Sequence, residues 1–181
     1  MKDPILQEGD PVLRVVAVAV PKKDVTSRKI RSVISKMKSV LAQEEHGVAI
    51  AAPQIGEPLR LFVISGSVFK EGPEDERAHP YRVFINPTLT RLSKKKVEMS
   101  EGCLSVRGKY GVVPRHEKAT IKALDEQGRA TTYHGTGLVG HIFQHECDHL
   151  DGILYVDKAT RLEKDEDMKS ARVRIKEKHG L

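Results

Sequence analysis

Residues 138–150 read LVGHIFQHECDHL, and this segment predicts the helix around which the rest of the chain is arranged. Glycines flank it on both sides, which separates it from the neighbouring segments. His145 and His149 stand four residues apart, or about 40° around a helix of 3.6 residues per turn. Both imidazoles can therefore face one metal ion, with Glu146 directly beside the first of them.

The chemistry expected of this segment is metal-assisted hydrolysis. A glutamate beside a ligand histidine can accept a proton from an attacking water and later deliver it to a leaving amine. The same four-residue spacing also occurs on ordinary solvated helices, so the pattern needs a third ligand. The extended protease pattern HExxHxxGxxH is matched through Gly152 and then fails, because Tyr155 occupies the last histidine position. That protease family is disfavoured, although a zinc peptidase that uses the same helix stays as an alternative.

Three residues are candidates for the third ligand. His141 lies eight residues before His149, about 12 Å along the axis, which is too far for both to bind one ion; it is expected on the surface or beside a ligand. Cys147 lies two residues from each ligand histidine, about 200° around the helix, and is expected to be a packed core thiol. Cys103 follows a predicted strand and Gly102, which permits close approach of the backbone. The ordinary alternative for Cys103 is a buried structural cysteine.

The composition is that of a globular protein with an aliphatic core. The chain has 181 residues, of which 39% are hydrophobic and 4% aromatic, and this length suits a single domain. The longest apolar run, residues 15–20, is far shorter than the roughly 20 residues that a membrane span requires. Because there are only two cysteines and no leader-like N-terminal pattern, we expect a reducing compartment, the cytoplasm.

Hydrophobic periodicity predicts the other elements. Helices are expected at 26–45 and at about 160–178, and strands at 59–65, 82–86, 96–100, 118–124 and 130–134. The last two strands flank a turn at 125–128 and should form a hairpin, and the polar segment 71–80 should be a surface loop. Since strands and helices do not alternate regularly, the expected class is α+β: antiparallel sheets packed around the central metal-binding helix, with an N-terminal helix and a C-terminal helix.

Three blocks in a fixed order carry a family resemblance: GVAIAAPQ at 47–54, EGCLS at 101–105 and QHECDH at 144–149. With the additional block GDPVLR at 9–14, they make the chain resemble the peptide deformylases, and the resemblance extends to about Asp157. It implies a single catalytic domain at 1–157. Residues 158–181 would be a charged helix or tail, either part of that domain or appended to it.

The resemblance implies an activity and a set of site residues. The family hydrolyses the N-formyl group on the initiator methionine of nascent polypeptides and releases formate. By similarity, Cys103, His145 and His149 would bind one divalent ion, expected to be Fe(II), with Zn(II), Ni(II) or Co(II) able to replace it. Glu146 would act as general base and then acid. Gln54 and the backbone N–H of Leu104 would donate to the oxygen of the attacked formyl group, although Gln54 could instead satisfy a loop backbone.

Further expectations concern the surroundings of the site. Ligand histidines usually donate their second N–H to a carboxylate or carbonyl, and Glu101 and Asp148 are the nearest candidates for this role in the sequence. Ile50 and the helix around Ile142 are expected to line a methionine pocket. Ala49 stands where the family commonly has glycine, and because the rest of its block is intact we expect a negative φ there.

The expected partners are formyl-methionine peptides, with no membrane and no sequence-specific nucleic acid. Residues 168–181 carry a net charge of +4 out of +6 for the whole chain, so this tail is predicted to contact ribosomal RNA, with a solvated surface helix as the alternative. A noncatalytic metal-binding module is a third interpretation of the chain. The presence of both Glu146 and Gln54 counts against it, because an inactive site would be free to lose them.

Overall fold

The computed structural model describes residues 3–69 and 81–164, and the structural statements below concern these two stretches. They contain two α-helices, α1 (Arg28–Leu41) and α2 (Gly137–Leu150). Their strands are β1 (Ala49–Ala51), β2 (Leu61–Ser65), β3 (Tyr81–Leu92), β4 (Lys96–Cys103), β5 (Val106–His116), β6 (Lys118–Leu124), β7 (Ala130–Thr136) and β8 (Arg161–Lys164). In this part of the chain, neither helix has the length and apolar character needed to cross a bilayer.

The strands form two antiparallel sheets. The larger sheet has the order β1-β2-β3-β6-β7, and the smaller has the order β4-β5-β8. Only Glu117 separates the end of β5 from the start of β6. The chain therefore passes from one sheet to the other within a single residue, which keeps the two sheets side by side.

The part of the larger sheet formed by β1 and β2 is buried on both faces, because each face is covered there by a helix. Along β2, Leu61 and Val63 pack in the cluster that includes the apolar side of α1. Phe62 and Ile64 pack in the cluster that includes α2. Successive side chains of a strand point to opposite faces, so an unbroken apolar run suits a strand between two layers. Each of these fully buried side chains contributes roughly 1.5–3 kcal/mol to folding.

Helix α1 forms within the segment predicted to be helical. Ser27 caps its first turn, since the Oγ atom accepts a hydrogen bond of 3.3 Å from the backbone N–H of Ile30. The buried residues recur at steps of three and four and make one apolar stripe: Ile30, Val33, Ile34, Met37, Val40 and Leu41. This stripe supplies the layer that covers one side of β1 and β2.

Helix α2 lies between the two sheets and follows β7 without a connecting loop. Its apolar side, with Phe143, Cys147 and Leu150, packs against the larger sheet. The helix approaches β7 closely because both contact positions are glycine: a Cβ on Gly135 would lie 2.8 Å from the backbone nitrogen of Gly140. The opposite side of α2 is left to face the cavity and the smaller sheet.

Three strands of the structure were not predicted, β1, β5 and β8, and the longest of them is β5. β5 was not predicted, because Gly108, Gly111 and Pro114 weaken the local strand signal. It forms through pairing with β4 on one side and β8 on the other, and Gly111 leaves room for Tyr155, which a Cβ there would approach to 2.8 Å.

A further correction concerns the helix predicted from about residue 160. It is wrong over Arg161–Lys164, which pair with β5 as strand β8. The remainder of that predicted helix, the basic tail and the predicted loop at 71–80 lie outside the described residues. The five predicted strands each overlap an observed one.

Candidate metal centre

Three side chains that offer metal-ligand atoms meet where β4 ends against α2. The ligand atoms of Cys103, His145 and His149 all lie within 4.8 Å of one another, and Cys103 Sγ is 3.1 Å from His149 Nε2. Sulfur and nitrogen bound to one tetrahedral ion would be about 3.6 Å apart, so small side-chain adjustments suffice. One thiolate and two imidazoles fit a divalent ion and leave a fourth position open.

Cys103 and His145 line a cavity of about 640 Å³, together with other residues of both sheets and of α2. His149 is almost fully buried and lies next to them. Glu146 lines the same cavity but is only 3% exposed, and its Oε2 atom has no hydrogen-bond partner among the described residues. Burial raises the pKa of Glu146 to about 7. A cation bound nearby would favour the carboxylate and oppose that shift. The unpaired carboxylate oxygen therefore belongs to a residue that lines the same cavity as Cys103 and His145.

Gln54 lies in a single 3₁₀ turn that follows β1 and is almost fully buried. Its Oε1 atom accepts a hydrogen bond of 2.8 Å from the backbone N–H of Ala51, which fixes the orientation of the amide. Its Nε2 atom donates to Ser105 Oγ at 3.1 Å and lies 3.5 Å from Cys103 Sγ. Gln54 thus satisfies the loop backbone and also directs a donor toward Cys103, so the two expectations for it are compatible.

An N-terminal segment, residues 6–8, joins the two loops of the site. Leu6 donates a backbone hydrogen bond of 2.8 Å to the carbonyl of Gln54. The Gln7 side chain donates to the carbonyl of Leu104 at 3.0 Å, and Glu8 donates its N–H to the carbonyl of Ser105 at 2.7 Å. The sequence did not indicate this role, because nothing local in the segment identifies its distant partners.

A buried ionic network lies behind His145. His145 Nδ1 is 2.8 Å from Glu101 Oε2, which leaves Nε2 to face the ligand cluster, and this agrees with the expectation for Glu101. Arg115, 4% exposed, donates to both oxygens of Glu101 and, over 2.7 Å, to Asp148 Oδ2. Asp148 also accepts from Lys158 Nζ at 2.6 Å and, within the described stretches, accepts no hydrogen bond from either ligand histidine, so its expected role was wrong. Arg115 is a further residue that the sequence did not single out.

The network controls the charges around the centre. Burial by itself would raise the pKa of Glu101, but hydrogen bonds from Arg115 and His145 hold it well below its ordinary value. The pKa of His145 is raised although burial opposes this, because Cys103 and Glu101 favour the imidazolium. Burial and the charge of His145 lower the pKa of His149. A bound metal ion would oppose the raised pKa of His145, because a ligand imidazole must be neutral.

Two residues rejected as ligands have clear positions. Cys147 is packed in the cluster between α2 and the larger sheet, where burial raises the pKa of its thiol to about 12, so the predicted core role is confirmed. His141 is buried rather than on the surface. Its Nδ1 atom is 3.6 Å from Glu101 Oε1, and neither ring nitrogen has a hydrogen-bond partner among the described residues. It lies beside the residue that orients His145.

The structure tests the negative φ expected of Ala49 and the pocket role expected of Ile50 and Ile142. Within the described stretches, Asn86 is the one non-glycine residue with positive φ, so the negative φ expected of Ala49 is confirmed. Ile142 lines the cavity as expected. Ile50 instead packs in the cluster beneath α1, and its predicted pocket role was wrong, because alternate residues of β1 face opposite sides of the sheet.

Comparisons with known proteins agree with the resemblance. The family model described as polypeptide deformylase matches residues 2–165. The peptide deformylase of Psychrobacter arcticus is 37% identical over 179 residues, covering 98% of this chain and 91% of that protein. Peptide deformylase 1A, chloroplastic, of Solanum lycopersicum is 39% identical over 162 residues, covering 85% of this chain. The chain spans only 58% of the length of this tomato relative.

Solved structures give the same result for the fold. The crystal structure of a class I type b peptide deformylase from Acinetobacter baumannii, bound to Met-Ala-Ser, superposes with a TM-score of 0.75. It is 30% identical and covers 86% of this chain and 96% of that one. Since the family model spans most of the sequence and the fold matches, the chain belongs to the peptide deformylase family.

Proposed function

We propose that this chain removes the N-formyl group from the initiator methionine of nascent polypeptides. In this reaction water adds to the formyl carbon, the carbon–nitrogen bond breaks, and formate and a free amino terminus are released. The observation that carries the proposal is the cluster of ligand atoms from Cys103, His145 and His149. Two of these residues line the same cavity as Glu146, whose Oε2 atom has no hydrogen-bond partner among the described residues. The Met-Ala-Ser bound to the Acinetobacter relative is consistent with a product of this kind.

Cys103, His145 and His149 would hold one divalent ion. Such an ion would polarise the formyl carbonyl and make the attacking water more acidic. We propose Fe(II) as the native ion, because the family resemblance implies it and a thiolate with two imidazoles suits ferrous iron as well as zinc. Glu101, held by Arg115, keeps the His145 ring in the orientation that metal binding needs.

Glu146 would accept the proton of the attacking water and then deliver it to the leaving amine. Its burial supports this role, since a carboxylate with a raised pKa is a better acid–base catalyst near neutral pH. Gln54 Nε2 and the backbone N–H of Leu104 would donate hydrogen bonds to the oxygen on which negative charge develops. Both residues line the cavity, and the hydrogen bonds of Gln54 hold its amide in one orientation.

The compartment and the ribosome contact are further proposals. We propose that the chain acts in the cytoplasm, where formylated nascent chains and a reduced Cys103 thiol would both be found. Its basic tail, residues 168–181, would meet ribosomal RNA through its net charge of +4. That tail lies outside the described residues, so the support is its charge alone.

The test of the proposed function is formate release by protein purified without oxygen. One metal ion per chain and turnover of formyl-Met-Ala-Ser are expected, with no cleavage of the unformylated peptide. Cleavage of an internal peptide bond would instead favour the zinc peptidase. Full metal occupancy without turnover of either peptide would favour a noncatalytic module.

Ala49→Gly is expected to leave kcat/KM for formyl-Met-Ala-Ser within about threefold of the unchanged protein, or less than about 0.7 kcal/mol. The reason is that Ala49 already has negative φ, so glycine relieves no backbone strain, and the lost methyl packs against α2. Steady-state formate release measures the effect. A tenfold gain would mean that the methyl obstructs the substrate path.

A further inference from the structure

An ion pair joins two walls of the cavity at its outer end. One wall includes residues 44–49, which follow α1, and the other includes residues 99–110, the hairpin of β4 and β5. Arg107 Nη1 and Nη2 donate to Glu44 Oε2 and Oε1 at 3.1 and 2.9 Å, and Arg107 Nε donates to Asp3 Oδ2 at 3.2 Å. Arg107 and Glu44 both line the cavity, so the forked pair bridges its rim.

The turn that contains Glu44 depends on a glycine, and this turn places Glu44 against Arg107. A Cβ on Gly47 would lie 2.8 Å from Glu44 Cβ and 3.0 Å from a methyl of Leu41, so only glycine lets the turn fold back onto the end of α1. On the other wall, Gly108 has a φ of +74° directly after Arg107. Both partners are therefore presented by turns that depend on glycine.

The position of Arg107 relates the pair to the substrate. Val106 is the cross-strand partner of Cys103, and Arg107 is the next residue, so its Cα is about 6 Å from that of Cys103. An extended peptide advances about 3.4 Å per residue. With the formyl group at the metal centre, the second and third residues of a peptide are the ones that come near Arg107.

Arg107 offsets an acidic rim. Glu44, Glu45 and Asp3 carry negative charge at this end of the cavity, whereas Lys109 is already paired with Glu8 at 2.9 Å. The pair contributes little to stability, because the Arg107 and Glu44 side chains are 46% and 20% exposed. Its main effect is on the electrostatic potential around a substrate side chain that lies at this end of the cavity.

We propose that Arg107 and Glu44 determine the charge preference of the site for the residues that follow the formyl-methionine. Arg107 favours the binding of substrates with acidic side chains, because its positive charge neutralises the acidic rim. Glu44 has the opposite effect and favours substrates with basic side chains. This inference rests on the proposed function and adds a substrate preference to it.

The experiment compares formyl-Met-Ala-Glu, formyl-Met-Ala-Lys and formyl-Met-Ala-Ser, all with amidated C-termini. Arg107→Gln should lower the ratio of kcat/KM for the Glu peptide to that for the Lys peptide by about three- to fivefold. Glu44→Gln should raise that ratio by a similar factor. The Ser peptide measures any effect on turnover that does not depend on the charge of the substrate side chain. A concentration of 1 M salt should abolish the shifts in the ratio, because the Debye length is then about 3 Å.

Arg129→Gln is the matched control. It also removes one positive charge from an exposed ion pair, with Asp125 at 2.7 Å, but it lies in the β6–β7 turn and does not line the cavity. An unchanged Glu-to-Lys ratio in Arg107→Gln, or an equal shift in Arg129→Gln, would overturn the proposal.

A binding measurement separates this proposal from the proposed function. Calorimetric Kd values of the unformylated peptides Met-Ala-Glu and Met-Ala-Lys for the metal-loaded protein should show the same charge-dependent shift in Arg107→Gln. If the protein without substitutions did not turn over the formylated peptides but the Kd values still shifted in Arg107→Gln, only the deformylase proposal would be refuted. Normal turnover of the Ser peptide without any shift would refute the rim proposal alone.

Discussion

Glu146→Gln is expected to lower kcat for formyl-Met-Ala-Ser by about 10²–10⁴ while the protein keeps one metal ion per chain. Glutamine has nearly the same shape but cannot accept the proton of the attacking water or return it to the amine. Cys103, His145 and His149 are unchanged, so the loss should appear in turnover rather than in metal content. Steady-state formate release and metal analysis of the same sample measure both quantities.

Glu98→Gln is a suitable control for this variant. Glu98 lies on β4, is exposed and does not line the cavity, so the same chemical change should leave kcat within about twofold. If Glu146→Gln also retained kcat within a few-fold of the unchanged protein, Glu146 would not be the proton carrier.

Arg115→Met is expected to lower the free energy of unfolding by about 3–5 kcal/mol. Arg115 is buried and binds two carboxylates that are themselves buried, Glu101 and Asp148. Removing the guanidinium leaves Glu101 without its main partner and Asp148 with Lys158 alone. Urea unfolding of the metal-loaded protein, repeated after treatment with a chelator, separates this loss from any change in metal affinity.

The control for Arg115→Met is Arg129→Met, which breaks an exposed ion pair and should change stability by less than about 1 kcal/mol. Adding Asp148→Asn to Arg115→Met should restore part of the loss, because it neutralises one of the two stranded carboxylates. A loss below about 1 kcal/mol in Arg115→Met itself would mean that water or local movement solvates Glu101 and Asp148, and the network would then not be an important source of stability.

The stability that Glu101 contributes should depend on pH with a definite sign. Its pKa in the folded protein lies below that of the unfolded chain, which is about 4.3 for a glutamate. The contribution is therefore complete above the unfolded pKa and is lost as the pH falls toward the folded pKa. Arg115→Met should weaken this acid dependence, because Arg115 is the strongest of the hydrogen-bonding partners that lower the pKa of Glu101.

Local sequence was sufficient for the elements whose periodicity is repeated over several turns or residues. The apolar stripe of α1, the alternation in β6 and the four-residue spacing of His145 and His149 depend on neighbours in the chain, and all three occur in the structure. Helical geometry alone also directed Cys147 away from the ligand histidines and into the core.

Contacts between distant segments were decided only by the tertiary structure. β5 and β8 have weak local strand signals and form because each completes the pairing of the smaller sheet. His145 pairs with Glu101 and not with Asp148, and Arg115 binds both carboxylates. These contacts follow from how β4 and β5 pack against α2. The link between Arg107 and Glu44 spans 63 positions in the chain. A sequence pattern gives the period of each element and the face that it buries. It does not give the relative placement of two sheets and a helix, because that depends on packing summed over the whole core.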